Sequence, residues 1–290
     1  MPRIHPTAVI SPEAELSDDC EIGPYTVIEG PVRLGPGVRI APHAHLVGPL
    51  EIGARSSVWS FACVGLPPQD YKFGIGHETA GVKVGSDTII REHATIHAAT
   101  NNDRPTTVGD NVFLMGMTHV AHDCVVGDNV IFVNYAGIAG HAQIGDGALL
   151  SGQALVHQHT RVGRLAMMSG GTGVSADVPP FCVVNERQRM GGVNRIGMRR
   201  SGMDASEVNA VRRAFTEAFK RTLPRGEMLE ILDRIGAESP AVAEMAAFVR
   251  SAKRPICPGP SKPPRMTAHL GTSTAKDAEA TPGEPAGAVE

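Results

Sequence analysis

The sequence predicts a mainly β fold: a three-sided parallel β-helix wound from six-residue repeats, followed by a small α-helical C-terminal domain. Three observations predict it. Branched aliphatic residues recur at every sixth position from Ile4 onwards. Aromatic side chains make up only 4% of the chain while glycine (33) and proline (22) are plentiful, which suits strands and turns around a slim interior better than a helical bundle. Beyond Pro179-Pro180 the beat stops and charged, helix-forming sequence begins. The 290 residues are enough for a large core.

The repeat comes first in the chain and in the argument. Stepping by six gives Ile4, Ile10, Leu16, Ile22, Ile28, Leu34, Ile40, Leu46, Ile52, Val58 and Val64. The fifth place of each hexad holds Ala8, Ala14, Cys20, Thr26, Val32, Val38, Ala44, Leu50, Ser56 or Ala62, mostly small or β-branched. A first interruption near 65–83 contains "QDYK"; the beat returns at Val84, Ile90 and Ile96. After a second interruption near 101–107 it runs in phase from Val108 to Val174, with Met168 alone departing from branched aliphatics and Phe. No helix repeats at six, and ordinary strand alternation has period two.

Each hexad therefore reads as a short strand and a corner, with its first and fifth residues turned inward. Three hexads close a coil, and successive coils pair as strands. Corners need residues that tolerate positive φ, matching Gly37, Asn111, Asn129, Gly147 and Gly171 in fourth places. Counting complete hexads gives roughly eight coils, a prism about 40 Å long at strand spacing. The β-helix is expected over residues 1–186.

A helical domain is expected over 187–256. "MDASEVNAVRRAFTEAFKRTL" reads as an amphipathic helix with Asp204 as N-cap and Glu207 completing a capping box. "RGEMLEILDRIG" and "SPAVAEMAAFVRSA" read as two more, the last opened by Ser239-Pro240. Residues 257–290, rich in Pro, Gly, Ser, Thr and Ala, read as a disordered tail.

The net charge of −3 gives no sign of nucleic-acid binding. The N-terminus lacks a signal-peptide profile and no apolar run spans a bilayer, so a cytoplasmic protein with reduced thiols is expected. The five cysteines show no short paired spacing, and Cys20 and Cys124 fall at inward fifth places as core fillers.

Chemistry concentrates in "HVAHDC". With eighteen residues per coil, His122 lies below Gly140, Asp123 below His141, and His141 below His159. All occupy outward places, so the spacing predicts a surface histidine cluster. A neutral imidazole suits a general base near neutral pH, and an adjacent carboxylate can set its tautomer.

Several motifs go further: "QDYK", "IREHATIH", "HVAHDC", "AGHAQIG", "VHQH", "DVPP", and "GGVN" followed by "RRSG". Over roughly residues 1–255 the chain resembles the UDP-N-acetylglucosamine acyltransferases that begin lipid A biosynthesis. The resemblance implies a left-handed helix, a homotrimer with active sites between neighbouring subunits, and no cofactor. It implies His122 as the base that deprotonates the sugar 3-hydroxyl for attack on a thioester carried by acyl carrier protein. Asp123 would orient His122, and the Gly140 N–H would hold the oxyanion. Direct attack needs no acyl-enzyme.

Positions matching family contacts to the UDP-sugar or acyl group are Asp70, Lys72, His97, His119, His141, Gln158, Asn194 and Arg200; a guanidinium such as that of Arg200 suits a diphosphate. His157, above Ala139, either touches ligand or only packs. Gly170 falls where the family leaves an acyl groove open, and Met168 nearby either shortens that groove or fills the core, so chain length stays open. Between Arg187 and Arg225, ten Lys and Arg face three acids, a patch suited to acidic acyl carrier protein.

Two positions depart from the family pattern: Ile196 stands where an acid is usual, and Ser201 where a second arginine is. They leave a 3-amino or other nucleotide sugar open as acceptor. Competing readings are a zinc hydrase of the γ-carbonic anhydrase type, liganded by His119, His122 and His141, and a non-catalytic trimeric scaffold. A sister acyltransferase acting one step later normally carries an extra N-terminal domain, for which hexads starting at Ile4 leave no room.

Overall fold

The computed structural model describes residues 1–74 and 76–260. Its wall is a left-handed parallel β-helix with three faces, here called A, B and C in chain order. Face A begins at Arg3–Ile4 and holds eleven strands, the last two being Cys182–Glu186 and Arg189–Val193. Face B holds nine, from Val9–Ile10 to Gly173–Val174, and face C eight, from Glu15–Leu16 to Arg161–Val162. That is nearly nine coils against the eight expected, because Cys63–Leu66, leading into the first interruption, also joins the wall.

Register follows the beat. His119 pairs with Gly137, and Gly137 with Leu155, each eighteen residues on. First and fifth residues fill the interior: Ile28, Val32, Leu46, Ile90 and Leu114 are all at most 1% exposed. Cys20 and Cys124 lie in this core, as the phase predicts, and so does Met168.

Positive φ occurs at the expected Gly37, Asn111, Asn129, Gly147 and Gly171. It also occurs at Tyr25, His43, Phe61, Met117, Asp123, Tyr135, His141 and Leu165, residues that disfavour it by roughly 1–2 kcal/mol each. Strands hydrogen-bonded above and below over-determine the corner. Stacked side chains also contribute: Tyr25, His43, Phe61 and His93 form a column with ring centroids 5.1 Å apart.

The third residue of each hexad has a further property. Its N–H does not enter the ladder, which is why Pro6, Pro12, Pro24, Pro36 and Pro42 fit there. At the corner after face C, aspartates cap these orphans: Asp110 accepts from Ser86 N–H, Asp128 from Asp110, and Asp146 from Asp128. The corner after face B carries His122, Gly140 and Gln158 in third places and has no such column. Both interruptions leave from that corner, after Cys63–Leu66 and after Thr95–His97.

An antiparallel hairpin, Cys182–Glu186 with Arg189–Val193, leads from the wall into the helices and straddles residue 186. Helix Arg195–Arg200 follows, with Asn194 accepting from the Gly197 N–H as its cap. Helices Ala205–Ala214, Arg225–Gly236 and Pro240–Ser251 stand where the sequence places them, the first continuing through a wider π-turn at Phe215–Phe219.

The capping box does not form. Asp204 makes no side-chain cap bond, and Glu207 instead accepts from the Ser239 hydroxyl (2.8 Å) and the Ala241 N–H (3.0 Å), capping a neighbouring helix. Packing against that helix offers Glu207 two orphan donors in place of one. Arg164 paired with Glu244, and Arg161 bonded to Asp177 and to the Phe248 carbonyl, tie the helices to the prism. Cys257 is fully buried, and its N–H donates to Asp177, so the segment after the last helix joins the body. The rest of the expected tail, 261–290, lies outside the described residues.

Candidate active site

His122 and Asp123 occupy the third and fourth places of one corner. His122 Nδ1 lies 2.8 Å from Asp123 Oδ2. Contrary to the outward reading from the hexad phase, Asp123 is only 2% exposed, because the second interruption folds across it. Thr100 donates to it from both backbone (3.1 Å) and hydroxyl (2.8 Å), and Asp123's own N–H donates to the Thr106 hydroxyl. Burial is the largest single influence on this carboxyl and raises its pKa. The hydrogen bonds from His122 and Thr100, with help from His141, together outweigh it and hold the pKa below the usual range. An ionised Asp123 therefore accepts from His122 Nδ1–H and leaves Nε2 as the free, basic nitrogen.

Gly140 lies directly over the His122 ring. A Cβ there would stand 2.4 Å from Cε1 and 2.6 Å from Nε2, so only glycine lets the coil approach the imidazole so closely. Among the described residues nothing accepts from the Gly140 N–H. An unclaimed amide donor and a free imidazole nitrogen thus share one corner.

Three further histidines surround this pair, all with pKa pushed down. His141 Nε2 is 3.6 Å from Asp123 Oδ2, and its ring stacks on His159 at 4.4 Å. Burial lowers its pKa most, with His159, His122 and Arg104 adding, against Asp123. His119, whose Nδ1 is 2.7 Å from the Thr95 hydroxyl, is lowered by burial and then His122. His97 is 4% exposed and is pushed down to about 4, by burial first and then His119 and His122. Its buried Nδ1 has no partner among the described residues.

A cleft of about 850 Å³ runs along face B from this cluster. His97, His119 and His122 line its lower part; Gly140, Leu155, His157 and Gln158 its middle; Gly173, Ser175, Arg187 and Gln188 its upper end. Outward strand places alternate Gly137, Leu155 and Gly173, so missing side chains carve the groove.

Known proteins resemble this chain over most of its length. A family profile described as "Udp N-acetylglucosamine O-acyltransferase; Domain 2" matches residues 177–257, and "Bacterial transferase hexapeptide (six repeats)" matches 105–140. The acyl-[acyl-carrier-protein]–UDP-N-acetylglucosamine O-acyltransferase of Aquifex aeolicus is 54% identical over 256 residues, 88% of this chain and 97% of that protein. The chain belongs to the UDP-N-acetylglucosamine O-acyltransferase family. The protein of that name from Thermodesulfovibrio yellowstonii is 38% identical, over 89% of this chain and all of the relative. The solved acyltransferase of Moraxella catarrhalis RH4 superposes with a TM-score of 0.83 at 32% identity, covering 88% of this chain and 99% of that one.

The positions matching family contacts fall in three groups. His97, His119, His157 and Gln158 line the cleft, and His141 adjoins it. Asp70 and Lys72 stand exposed in the first interruption, linked by a turn in which the Lys72 N–H donates to Asp70, while the neighbouring Gln69 lines the cleft. Asn194 is committed to its helix cap and to the Leu165 carbonyl, so with Arg200 it belongs to a different corner from His122.

Met168 does not shape the groove: it points into the core with no exposure. Gly170 is adjacent to the lining rather than in it; Gly171 and Gly173 line the cleft instead. Thr100, Gln69 and Gln188 were not singled out by the sequence, since loop closure rather than the beat brings them here.

The anticipated zinc set changes as well. Among the described residues, His122, Asp123 and His141 are those whose ligand atoms lie within 4.8 Å of one another, while His119 is engaged with Thr95. His122 Nδ1 is bonded to Asp123, and family membership favours acyl transfer over the hydrase. Among the described residues, no helix is long and apolar enough to cross a membrane.

Proposed function

We propose that this protein transfers a 3-hydroxyacyl chain from acyl carrier protein to the 3-position of UDP-N-acetylglucosamine, opening lipid A biosynthesis in the cytoplasm. The observation that carries the reading is His122 held beneath Gly140, with its Nδ1 fixed by a buried, ionised Asp123. The sugar 3-hydroxyl oxygen attacks the thioester carbon while His122 Nε2 takes its proton. The carbonyl oxygen becomes an oxyanion that accepts from Gly140 N–H. Collapse breaks the C–S bond, and the departing thiolate of the carrier regains the proton from His122. Cys124, beside Asp123 in sequence, is no nucleophile: it points into the core, and burial pushes its pKa up to about 12. Attack of the sugar hydroxyl on the thioester is direct.

The acyl chain lies in the face B groove. From the His122 coil to the Val174 coil is three strand spacings, roughly 14 Å. Neutral His97 and His119 line its lower end without placing a charge there. Arg200 completes the site from a neighbouring copy in a trimer, carried on the helix that Asn194 caps. Exposed Trp59, Phe61, Met117, Tyr135 and Leu155 supply apolar surface for that contact. The basic residues between Arg187 and Arg225 steer acidic acyl carrier protein to the cleft.

Ser201 donates its hydroxyl to the Met198 carbonyl and Ile196 is 65% exposed, so neither replaces the charged groups usual at these positions. The decisive assay supplies UDP-N-acetylglucosamine, and in parallel its 3-amino analogue, with a series of 3-hydroxyacyl carrier proteins. Mass spectrometry should find an ester of the first; an amide of the second alone would move the assignment to the amino sugar. No acyl-sugar from any pairing would remove the proposal.

A further inference from the structure

Face B ends at Gly173–Val174, and among the described residues no further coil of the repeat covers that strand. Its free edge lies where the cleft ends, lined by Gly173, Val174, Ser175 and Gln188. A bare strand edge leaves backbone groups unpaired and frays. Here the edge is capped by two side chains from separate parts of the chain. Gln188 donates from its N–H to the Gly173 carbonyl (2.9 Å) and accepts through Oε1 from the Ser175 N–H (2.8 Å). The Ser175 carbonyl accepts from Arg254 Nε at 3.0 Å. Both backbone polar groups of Ser175 are thus pinned, one by the hairpin turn and one by the segment after the last helix.

That segment is itself tightly held. Asp177 N–H donates to Pro255, Cys257 N–H to Asp177, Met190 N–H to Pro258, and Arg189 to the Gly259 carbonyl, with distances of 2.8 Å throughout. Gly259 packs so closely on the Phe219 carbonyl that a Cβ would meet it at 1.8 Å. The segment is a strap across the hairpin and the helices, and Arg254 is its one side chain reaching the groove wall by hydrogen bond.

We infer that Arg254 is a positioning residue for acyl-chain length: by holding the Ser175 carbonyl it fixes the upper wall of the groove against which the chain terminus packs. Gly173 presents no side chain there, and the nearest atom to a Cβ would be 3.8 Å away, so the backbone's own position sets the available depth. The inference rests on the acyltransferase reading above.

The test uses the full-length enzyme, UDP-N-acetylglucosamine and 3-hydroxyacyl carrier proteins stepped by two carbons, with kcat/KM measured for each. Arg254→Ala is expected to change the ratio of kcat/KM between the preferred chain and the next longer one by about tenfold, in favour of the longer, the order of effect of one or two methylenes in a pocket. Arg254→Lys, which keeps a donor, should return the ratio part-way to wild type. A purely structural role would lower all chain lengths together and the melting temperature with them, leaving the ratio fixed. That result in either variant overturns the inference, and if Arg254→Ala does not fold, the lysine variant decides. Should wild type transfer no chain at all, the acyltransferase reading itself is what fails.

Discussion

Replacing Gly140 with alanine tests the seat of the chemistry with a single methyl group. The Gly140 φ lies outside the left-handed region, so the backbone accepts alanine without strain, and the N–H that would hold the oxyanion is retained. The new Cβ, however, would stand 2.4 Å from His122 Cε1, against about 3.4 Å for ordinary contact. The ring must retreat by about 1 Å. Asp123 cannot follow, because Thr100 holds both its oxygens, so the 2.8 Å bond to Nδ1 stretches as the ring moves. A displacement of that size costs about 100-fold in rate, or roughly 2.7 kcal/mol of transition-state stabilisation. Since the His122 side chain is 22% exposed and can swing outward, the fold should lose no more than about 1 kcal/mol, the low end for overpacking. Steady-state kcat/KM and thermal unfolding of the same preparation separate the two effects. Activity within threefold of wild type would refute the claim that His122 works from beneath this glycine.

Other outcomes follow from the same geometry. Asp123→Asn should lower kcat by about 10²–10⁴-fold, because a neutral amide cannot stabilise the imidazolium; a loss under tenfold would remove Asp123 from the mechanism. Thr100→Val deletes the 2.8 Å hydroxyl bond to that carboxylate and should cost about tenfold in kcat, a charge-assisted hydrogen bond being worth roughly 1.5–3 kcal/mol; unchanged kcat would count against the loop's role. Folded His97 has its pKa lowered to about 4 while the unfolded residue titrates near 6.5. Between those values the unfolded chain holds the proton and the folded one does not. Stability is therefore complete above pH 6.5 and should fall by up to about 3 kcal/mol as pH drops towards 4. Urea unfolding at several pH values should show a shallower decline in His97→Gln, and an identical decline would contradict the assignment. Glu207→Ala should destabilise the helical region by about 1.5–3 kcal/mol in chemical unfolding while sparing transfer, since it caps helix Pro240–Ser251; a change under about 0.5 kcal/mol would show the cap to be dispensable.

The wall of the protein could be read from its six-residue beat because every first and fifth place must fill a narrow interior. The same arithmetic stacked His122 under Gly140 and His141 under His159, and both contacts exist. Two kinds of feature escaped it. Residues delivered by the interruptions, Thr100 and Gln69, obey no period; Thr100 turns Asp123 from an outward residue into a buried one. A choice between competing partners also escaped: Glu207 left its own helix for two donors on the next, whereas Met168 sits in the core, where its first place in the hexad puts it. The turn residues were under-read for a related reason, since glycine and asparagine preferences describe isolated turns. A corner clamped between two ladders carries Tyr25, Phe61 or Leu165 at positive φ.

The most direct measurement is kcat/KM for acyl transfer by His122→Ala beside wild type, with intact-protein mass recorded during turnover and unfolding checked for both. A single imidazole acting as base on the attacking hydroxyl predicts a fall of at least about 10²-fold in a normally folded variant, with the protein mass unchanged throughout. Transfer persisting within threefold, or an acyl group appearing covalently on the protein, would contradict it.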